Sequence, residues 1–339
     1  MRCYNTVIIG ASGAVGQELV KVLEERKFPV NTLRLCATAR SAGKPMTFRG
    51  ETIIVEETGP DSFGNMDLAL FAGGAASLEY GQLAASSGVV VIDNSSYFRL
   101  DPEVPLVVPE VNPGDIRNHK GIIANPNCST IIMAVPLKAI YDAAGVKRVV
   151  VSTYQAVSGA GSEGIEELTA QTGAYLDGKE FPPAKFAHQI AFNLIPHIDV
   201  FQEMDYTKEE WKMVKETHKI MHDDTIGITA TTVRVPVYRS HSESINIETR
   251  NKLSADQARK VLESFPGIIV QDDPAAKSYP MPLYTSHRDE VFVGRIREDN
   301  SLDRGLNIWV VADQIRKGAA TNAVQIAELV VKYGCLRER

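Results

Sequence analysis

A short β-branched run, Thr6-Val7-Ile8-Ile9, leads straight into Gly10-Ala11-Ser12-Gly13-Ala14-Val15-Gly16. Glu18, Leu19, Val20, Val22 and Leu23 then follow at helical spacing. Strand, glycine-rich turn and helix in that order constrain the fold more than any other stretch. The glycines let the backbone turn tightly, approach a pyrophosphate and pack the helix on the strand, while the helix N-terminus attracts the phosphates. The spacing is G-x-x-G-x-x-G rather than the more familiar G-x-G-x-x-G, and a glycine-rich turn without a ligand is the competing reading. The next β run, residues 33–38, does not end in the Asp or Glu that would bind a ribose 2′-hydroxyl. Ala39-Arg40-Ser41 follows, with Lys44 nearby. A cation and a hydroxyl suit a 2′-phosphate, so NADP is expected rather than NAD, the alternative being that Arg40 is a solvated surface charge.

Further apolar runs at residues 66–72 and 89–93 read as buried strands, and residues 107–112 and 121–124 are expected to supply more strand. Their alternation with helical patterns predicts a doubly wound parallel sheet. The loop Asn94-Ser95-Ser96-Tyr97-Phe98-Arg99 follows one strand end, where ligands of such sheets bind. Arg99 there either holds an anion or is an ordinary surface arginine.

The second informative stretch is Ile122-Ile123-Ala124-Asn125-Pro126-Asn127-Cys128-Ser129-Thr130. Asn and Pro stop a strand, and Ser129 and Thr130 suit the first turn of a helix. Cys128 is therefore expected at a helix N-terminus, where the dipole favours the thiolate, which is the nucleophile. A buried inert cysteine is the competing reading.

Beyond it, residues 149–156 form a strong strand pattern running into Val157-Ser158-Gly159-Ala160-Gly161. Gln155 near its end can donate and accept, which suits a polar substrate. Residues 173–207 are irregular and rich in Pro, Phe and His, as expected of an excursion packed on another surface. His188 and His197 there lack metal-ligand spacing, and no metal is expected. Glu209 and Lys212 lie on one face of a helical stretch, which by itself suggests a solvated ion pair. Arg234 and His241 sit on successive β runs. Arginine suits a bidentate grip on a carboxylate, and histidine is the usual general base near neutral pH, although a lone strand histidine is also often structural. Residues 302–312 read as a closing strand, and residues 313–329 as a helix returning to cover the first sheet.

A length of 339 residues favours two domains, and a net charge of −6 provides no global field for nucleic acid. Cys3, Cys36, Cys128 and Cys335 are scattered without Cys-x-x-Cys spacing, which fits a reducing cytosol rather than a zinc site or disulfide framework. The chain runs from its N-terminus directly into a strand, and no apolar run is long enough to span a bilayer. A cytoplasmic protein with neither membrane nor nucleic-acid partners is expected.

Taken in order, these pieces resemble the aspartate-β-semialdehyde dehydrogenase family over essentially the whole chain. The resemblance is carried by the Gly10 to Gly16 turn, the Asn94 to Arg99 loop, Asn125 to Thr130 and Gln155 to Gly161. It continues in Glu209-Glu210-Trp211-Lys212, Arg234-Val235-Pro236, Ser240-His241-Ser242 and Gln314 to Asn322. It implies an α/β chain with an N-terminal Rossmann NADP-binding domain, residues 1–127 with 314–339. The second domain, residues 128–313, would be an α+β catalytic and dimerisation domain like that of glyceraldehyde-3-phosphate dehydrogenase. The implied reaction is NADPH-dependent reduction of L-aspartyl-4-phosphate to L-aspartate-4-semialdehyde and phosphate, on the way to lysine, methionine, threonine and isoleucine. By the same resemblance Cys128 forms a thioester and His241 acts as acid/base. Gln155, Arg234 and Glu209 hold the amino-acid end, and Arg99 and Lys212 hold phosphate. Ser12, Gly13, Ala14, Val15, Arg40, Ser41, Ser158, Gly159 and Gln314 would contact NADP, and a homodimer is expected. Two other readings share many of these features: an N-acetyl-γ-glutamyl-phosphate reductase, and an NADP-binding regulatory protein without activity.

Overall fold

The computed structural model describes residues 2–336 and divides into two compact units. One runs through Asn127 and resumes at Ala319, and the other spans Cys128–Gly318. The first is built on β1 (Tyr4–Ile9), α1 (Ala14–Glu25), β2 (Val30–Ala37), a small hairpin of β3 (Pro45–Phe48) and β4 (Glu51–Ile54), and β5 (Glu56–Glu57). It continues with β6 (Leu68–Phe71), α2 (Ala75–Ser86), β7 (Val90–Asp93) and β8 (Ile122–Ala124). Six of these strands pair entirely in parallel in the order β5-β2-β1-β6-β7-β8. Leaving out the hairpin, that is the 3-2-1-4-5-6 order of a dinucleotide-binding sheet. Val7 to Ile9, Leu68 to Phe71 and Val90 to Ile92 are fully buried, as expected of parallel strands covered on both faces. Residues 107–112 depart from the strand expectation. Leu106 makes one isolated bridge to Ala124, and then the Asn112 side chain accepts from Val108 N–H (2.9 Å) and donates to Leu106 C=O (2.8 Å). That local bonding closes a turn in place of a ladder.

The second unit comprises α3 (Cys128–Ala144), β9 (Val146–Gln155), α4 (Ser162–Leu176), α5 (Lys208–Met221), β10 (Gly227–Arg234) and β11 (His241–Thr249). After these come α6 (Ala255–Ser264), β12 (Ile268–Val270), α7 (Pro282–Thr285), β13 (Val291–Glu298) and β14 (Gly305–Ala312). Its mixed sheet has the order β10-β9-β11-β14-β13-β12. One face is covered by α3, flanked by α5 and α6. Twelve of the seventeen residues of α3 are buried, so this helix is the core of the unit. The other face alternates in more polar residues such as Ser152, Ser244 and Asn246, with Tyr154 and Trp309 in ring contact at 5.5 Å.

The helix expected over residues 313–329 is interrupted. Asp313 accepts from the N–H of Ile315 (2.9 Å) and of Arg316 (3.1 Å), and Gly318 N–H reaches back to Asp313 C=O (3.1 Å). The chain therefore makes a π-turn over Arg316–Ala320 before α8 (Thr321–Lys332) begins in the first unit. Ala323, Val324, Ile326, Ala327 and Val330 of α8 join the core of Leu19, Leu23, Leu70 and Ile92, as expected for the returning segment.

A Cβ on Gly16 would lie 2.2 Å from Gly10 C=O and 2.6 Å from Ala11 Cα, both rigid backbone atoms. Gly16→Ala should therefore destabilise the chain by about 2–3 kcal/mol, read as a lower urea midpoint.

Candidate active site

Three strand ends set out one row of side chains in the second unit. β10 runs parallel to β9 in a register that places Arg234 opposite Gln155. β11 runs antiparallel to β9 with Ser242 opposite Tyr154, which brings His241 level with the same end. One residue, Ala156, holds both flanking members of the row. Its C=O accepts from Arg234 Nη1 (2.6 Å) and its N–H donates to His241 Nδ1 (3.0 Å). Gln155 is oriented from below, because Thr153 Oγ1 donates to its Oε1 (3.1 Å). Its Nε2 then donates to Glu209 Oε1 (3.2 Å).

Glu209 and Lys212 are not the solvated pair that spacing alone suggests. Glu209 is buried, and Lys212 Nζ donates to Glu209 Oε2 (2.9 Å) and to Asp199 Oδ2 (3.0 Å). Burial works against the ammonium, but Glu209 and Asp199 together outweigh it and hold Lys212 above the usual lysine range. The helix carrying both begins at a capping box, in which Thr207 and Glu210 bond each other's backbone N–H. Glu210 Oε1 also accepts from Thr232 N–H (2.9 Å), docking α5 on β10.

Cys128 is the first residue of α3 and is half-buried. Gly318 packs against it: a Cβ at 318 would come within 2.9 Å of Cys128 Cβ. Gly159 does the same for the row, since a Cβ there would lie 2.8 Å from Arg234 Nη1 and 3.3 Å from His241 Nε2. Burial pulls the Arg234 guanidinium down, opposed by the charges of Glu209 and Cys128, so sulfur and arginine are within electrostatic reach. Burial lowers His241 to about 3, and Arg234 pushes the same way against Glu209, so the ring is neutral at physiological pH.

Ser158 and Gln314 are joined to each other, Gln314 Nε2 donating to Ser158 Oγ. Gln314 Oε1 accepts from Ser240 N–H (2.8 Å), so this buried amide braces the loop that carries Ser158.

In the first unit, α1 begins after Gly13 with no side-chain cap and no acid in its first turn, which leaves its N-terminal amides suited to an anion. Ser12 Oγ donates to Ser41 Oγ (3.0 Å), tying the glycine turn to the loop of the exposed Arg40. Gly16 allows that helix to start this close to the turn. These residues fit a dinucleotide phosphate. Arg99 is buried on the loop after β7, where its Nη2 donates to Asn94 C=O (2.8 Å). Asp93 beside it is raised by burial, against hydrogen bonds from Ser77 and Ser95 and the charge of Arg99.

Asp199, Asp313 and the backbone of Ala156 escaped sequence reading, and Gly318 entered it only as part of the Gln314 to Asn322 motif, with no role of its own. Asp199 lies in the irregular excursion and carries no motif, and a backbone group has none to carry.

Residues 5–119 match the family described as semialdehyde dehydrogenase, NAD binding domain, and residues 137–317 match the semialdehyde dehydrogenase dimerisation domain. An aspartate-semialdehyde dehydrogenase of Aquifex aeolicus is 60% identical over 338 residues, covering 98% of this chain and 99% of that protein. This chain belongs to the aspartate-semialdehyde dehydrogenase family. A member of that family from Vibrio cholerae, solved as a complex with ASA, superposes with a TM-score of 0.96 at 49% identity, covering 98% of this chain and 99% of the other. A Candida albicans family member solved with NADP gives 0.76 at 26% identity over 97% and 99% of the two chains. An NAD(P)-binding domain is thus present, and the fold class is that of the family. Among the described residues no helix is long and apolar enough to cross a membrane, and no group of three or more His, Cys, Asp or Glu is placed to hold a metal.

Two outcomes follow from this geometry. Gly159→Ala should displace Arg234 or His241 and lower kcat on the order of 10²-fold, while the urea midpoint moves little. Glu243, on β11 two residues past His241, is fully buried, neither of its oxygens has a hydrogen-bond partner among the described residues, and burial raises it well above the usual carboxylate range. The folded state then holds a proton that the unfolded state releases, so stability falls as pH rises above the ordinary glutamate range. Glu243→Gln should flatten that fall in urea unfolding across a pH series.

Proposed function

We propose that the chain reduces L-aspartyl-4-phosphate with NADPH to L-aspartate-4-semialdehyde and phosphate, through a thioester on Cys128. The observation that carries this reading is Cys128 at the first position of α3, within electrostatic reach of an Arg234 that stands in one row with Gln155 and His241. The helix N-terminus and the guanidinium both favour the thiolate.

The thiolate attacks the acyl carbon, a C–S bond forms and the C–O bond to phosphate breaks. NADP, when bound, supplies or accepts the hydride. Sulfur leaves as thiolate when the thiohemiacetal collapses to the aldehyde. Arg234 is assigned the α-carboxylate, Gln155 and Glu209 the amino-acid end, and Lys212 and Arg99 the phosphate. His241 faces the reacting carbonyl. Ser12, Gly13, Ala14, Val15, Ser41 and Arg40 are assigned the dinucleotide, with Arg40 on its 2′-phosphate, and Ser158 and Gly159 complete its contacts. Gln314 acts in this reading through Ser158, which it braces.

The half-exposed face of the mixed sheet supports a homodimer, in keeping with the name of the family domain it belongs to. A cytoplasmic place in lysine, methionine, threonine and isoleucine synthesis belongs to the same proposal.

The test is phosphate-dependent reduction of NADP⁺ with L-aspartate-4-semialdehyde, the reaction run in reverse. Wild type should turn over, and Cys128→Ala should bind NADPH with unchanged fluorescence titration yet show no turnover. Near-wild-type rates in that variant, or turnover of N-acetyl-γ-glutamyl phosphate in place of the aspartyl compound, would overturn the reading. Arg40→Ala should raise KM for NADPH roughly tenfold and leave that for NADH nearly unchanged. Equal effects on both would remove the 2′-phosphate role.

A further inference from the structure

We propose that Asp199 is an internal competitor for Lys212: its carboxylate occupies the ammonium in the free protein, and phosphate is bound more weakly and released more readily for it. The inference deepens the function just proposed and rests on its assignment of phosphate to Lys212.

Lys212 Nζ carries three N–H groups. One goes to Glu209 Oε2 (2.9 Å) and one to Asp199 Oδ2 (3.0 Å). Burial opposes the ammonium, but the two carboxylates outweigh it and Lys212 stays charged. Two carboxylates thus meet one ammonium, and the trio is left net negative. A lysine set only to attract an anion needs no such excess.

The two carboxylates are not equivalent. Glu209 lies three residues before Lys212 on α5, and its side chain is 7% exposed. Its other oxygen accepts from Gln155 Nε2 (3.2 Å), so it is committed from two sides. Asp199 comes from outside the helix, and its side chain is 29% exposed against 17% for Lys212. The solvent-facing partner of Lys212 is therefore Asp199, and it is the one an incoming anion meets.

The backbone delivers Asp199 to this place. Ile195 N–H donates to Arg234 C=O (3.0 Å) and Arg234 N–H to Ile195 C=O (2.8 Å), which fixes the chain before Asp199 to the end of β10. Val200 C=O accepts from Lys208 N–H (2.8 Å), which fixes the chain after it to the start of α5. Between these clamps Asp199 takes a left-handed φ of +69°, and its Oδ1 accepts from Val200 N–H (2.9 Å). Asp and Asn tolerate that conformation better than other side chains with a Cβ. The strap of residues 195–208 thus aims a carboxylate at the ammonium with no ligand to organise it.

The consequence for phosphate has a definite sign. A phosphate oxygen takes either the third N–H of Lys212, close to a like charge, or the N–H that Asp199 holds. In the first case repulsion opposes binding, and in the second an ion pair must break. Either way binding weakens. Departure is helped by the same amount, because Asp199 regains its unopposed bond as the product leaves. Asp199 touches no reacting atom and acts only through Lys212, so it is a positioning residue.

Asp199→Asn removes the charge, keeps the side-chain shape and suits the left-handed backbone. In phosphate-dependent reduction of NADP⁺ it should lower KM for phosphate about tenfold, while KM for the semialdehyde moves less than about twofold. In the biosynthetic direction, phosphate should inhibit the variant at about a tenth of the concentration wild type needs. The gap between the two proteins should narrow in about 0.5 M potassium chloride, because Asp199 is partly exposed. A KM for phosphate that rises or stays unchanged, or a gap that salt leaves untouched, would overturn the proposal. Adding Lys212→Met to each protein should remove the difference in phosphate affinity, and a difference that persists would overturn it as well. Calorimetric titration of inorganic phosphate into the folded proteins makes the same comparison without turnover, and Asp199→Ser serves if Asp199→Asn does not fold. Tighter phosphate in the variant, beside a wild type that never reduces NADP⁺, would support the competition and count only against the reaction.

Discussion

The backbone of Ala156 is the constraint on which the rest of the candidate site depends. Its C=O takes a guanidinium N–H and its N–H takes an imidazole nitrogen, so one peptide residue sets the positions of Arg234 and His241 together. Both bonds are buried, and leaving either group without a partner would cost about 1–3 kcal/mol. The side chains are therefore held in the free protein rather than gathered by a ligand. This is the pre-organisation that makes fixed dipoles effective against charge developing in a reaction.

A second layer works through charge. Glu209, Lys212 and Asp199 form a chain of alternating sign beside Gln155, each charge compensated by its neighbour. Burying such groups singly would be costly, but joined they keep a carboxylate in place next to an amide that must point one way. Glu243 is the exception: burial raises it well above the usual carboxylate range, which favours its uncharged form.

Much of this was legible in the chain itself, and the reasons differ by element. The glycine turn and the Cys128 helix start are local: the residues that break one element and begin the next are adjacent in sequence. The family resemblance then supplied the roles proposed for residues scattered over more than a hundred positions. What could not be read was anything set by register or by a distant partner. Nothing near Glu209 announces that Asp199 and Gln155 close around it. The run at residues 107–112 has strand composition, but Asn112 folds back on its own backbone. The segment after Asp313 has helical periodicity, yet the Asp313 carboxylate captures the N–H groups that would begin an ordinary helix and a π-turn results.

The interrupted path of the chain has a consequence for how it is made. The apolar core of the first unit includes Ala323, Val324, Ile326, Ala327 and Val330, which are synthesised after the whole of the second unit. The second unit is one continuous span and has all its strands before then. During synthesis the earlier segment lacks that part of its core, beside α1, until the later segment has been made. The first unit can thus complete its core only after the second has been synthesised, and apolar surface left partly uncovered in that interval is prone to misassociation.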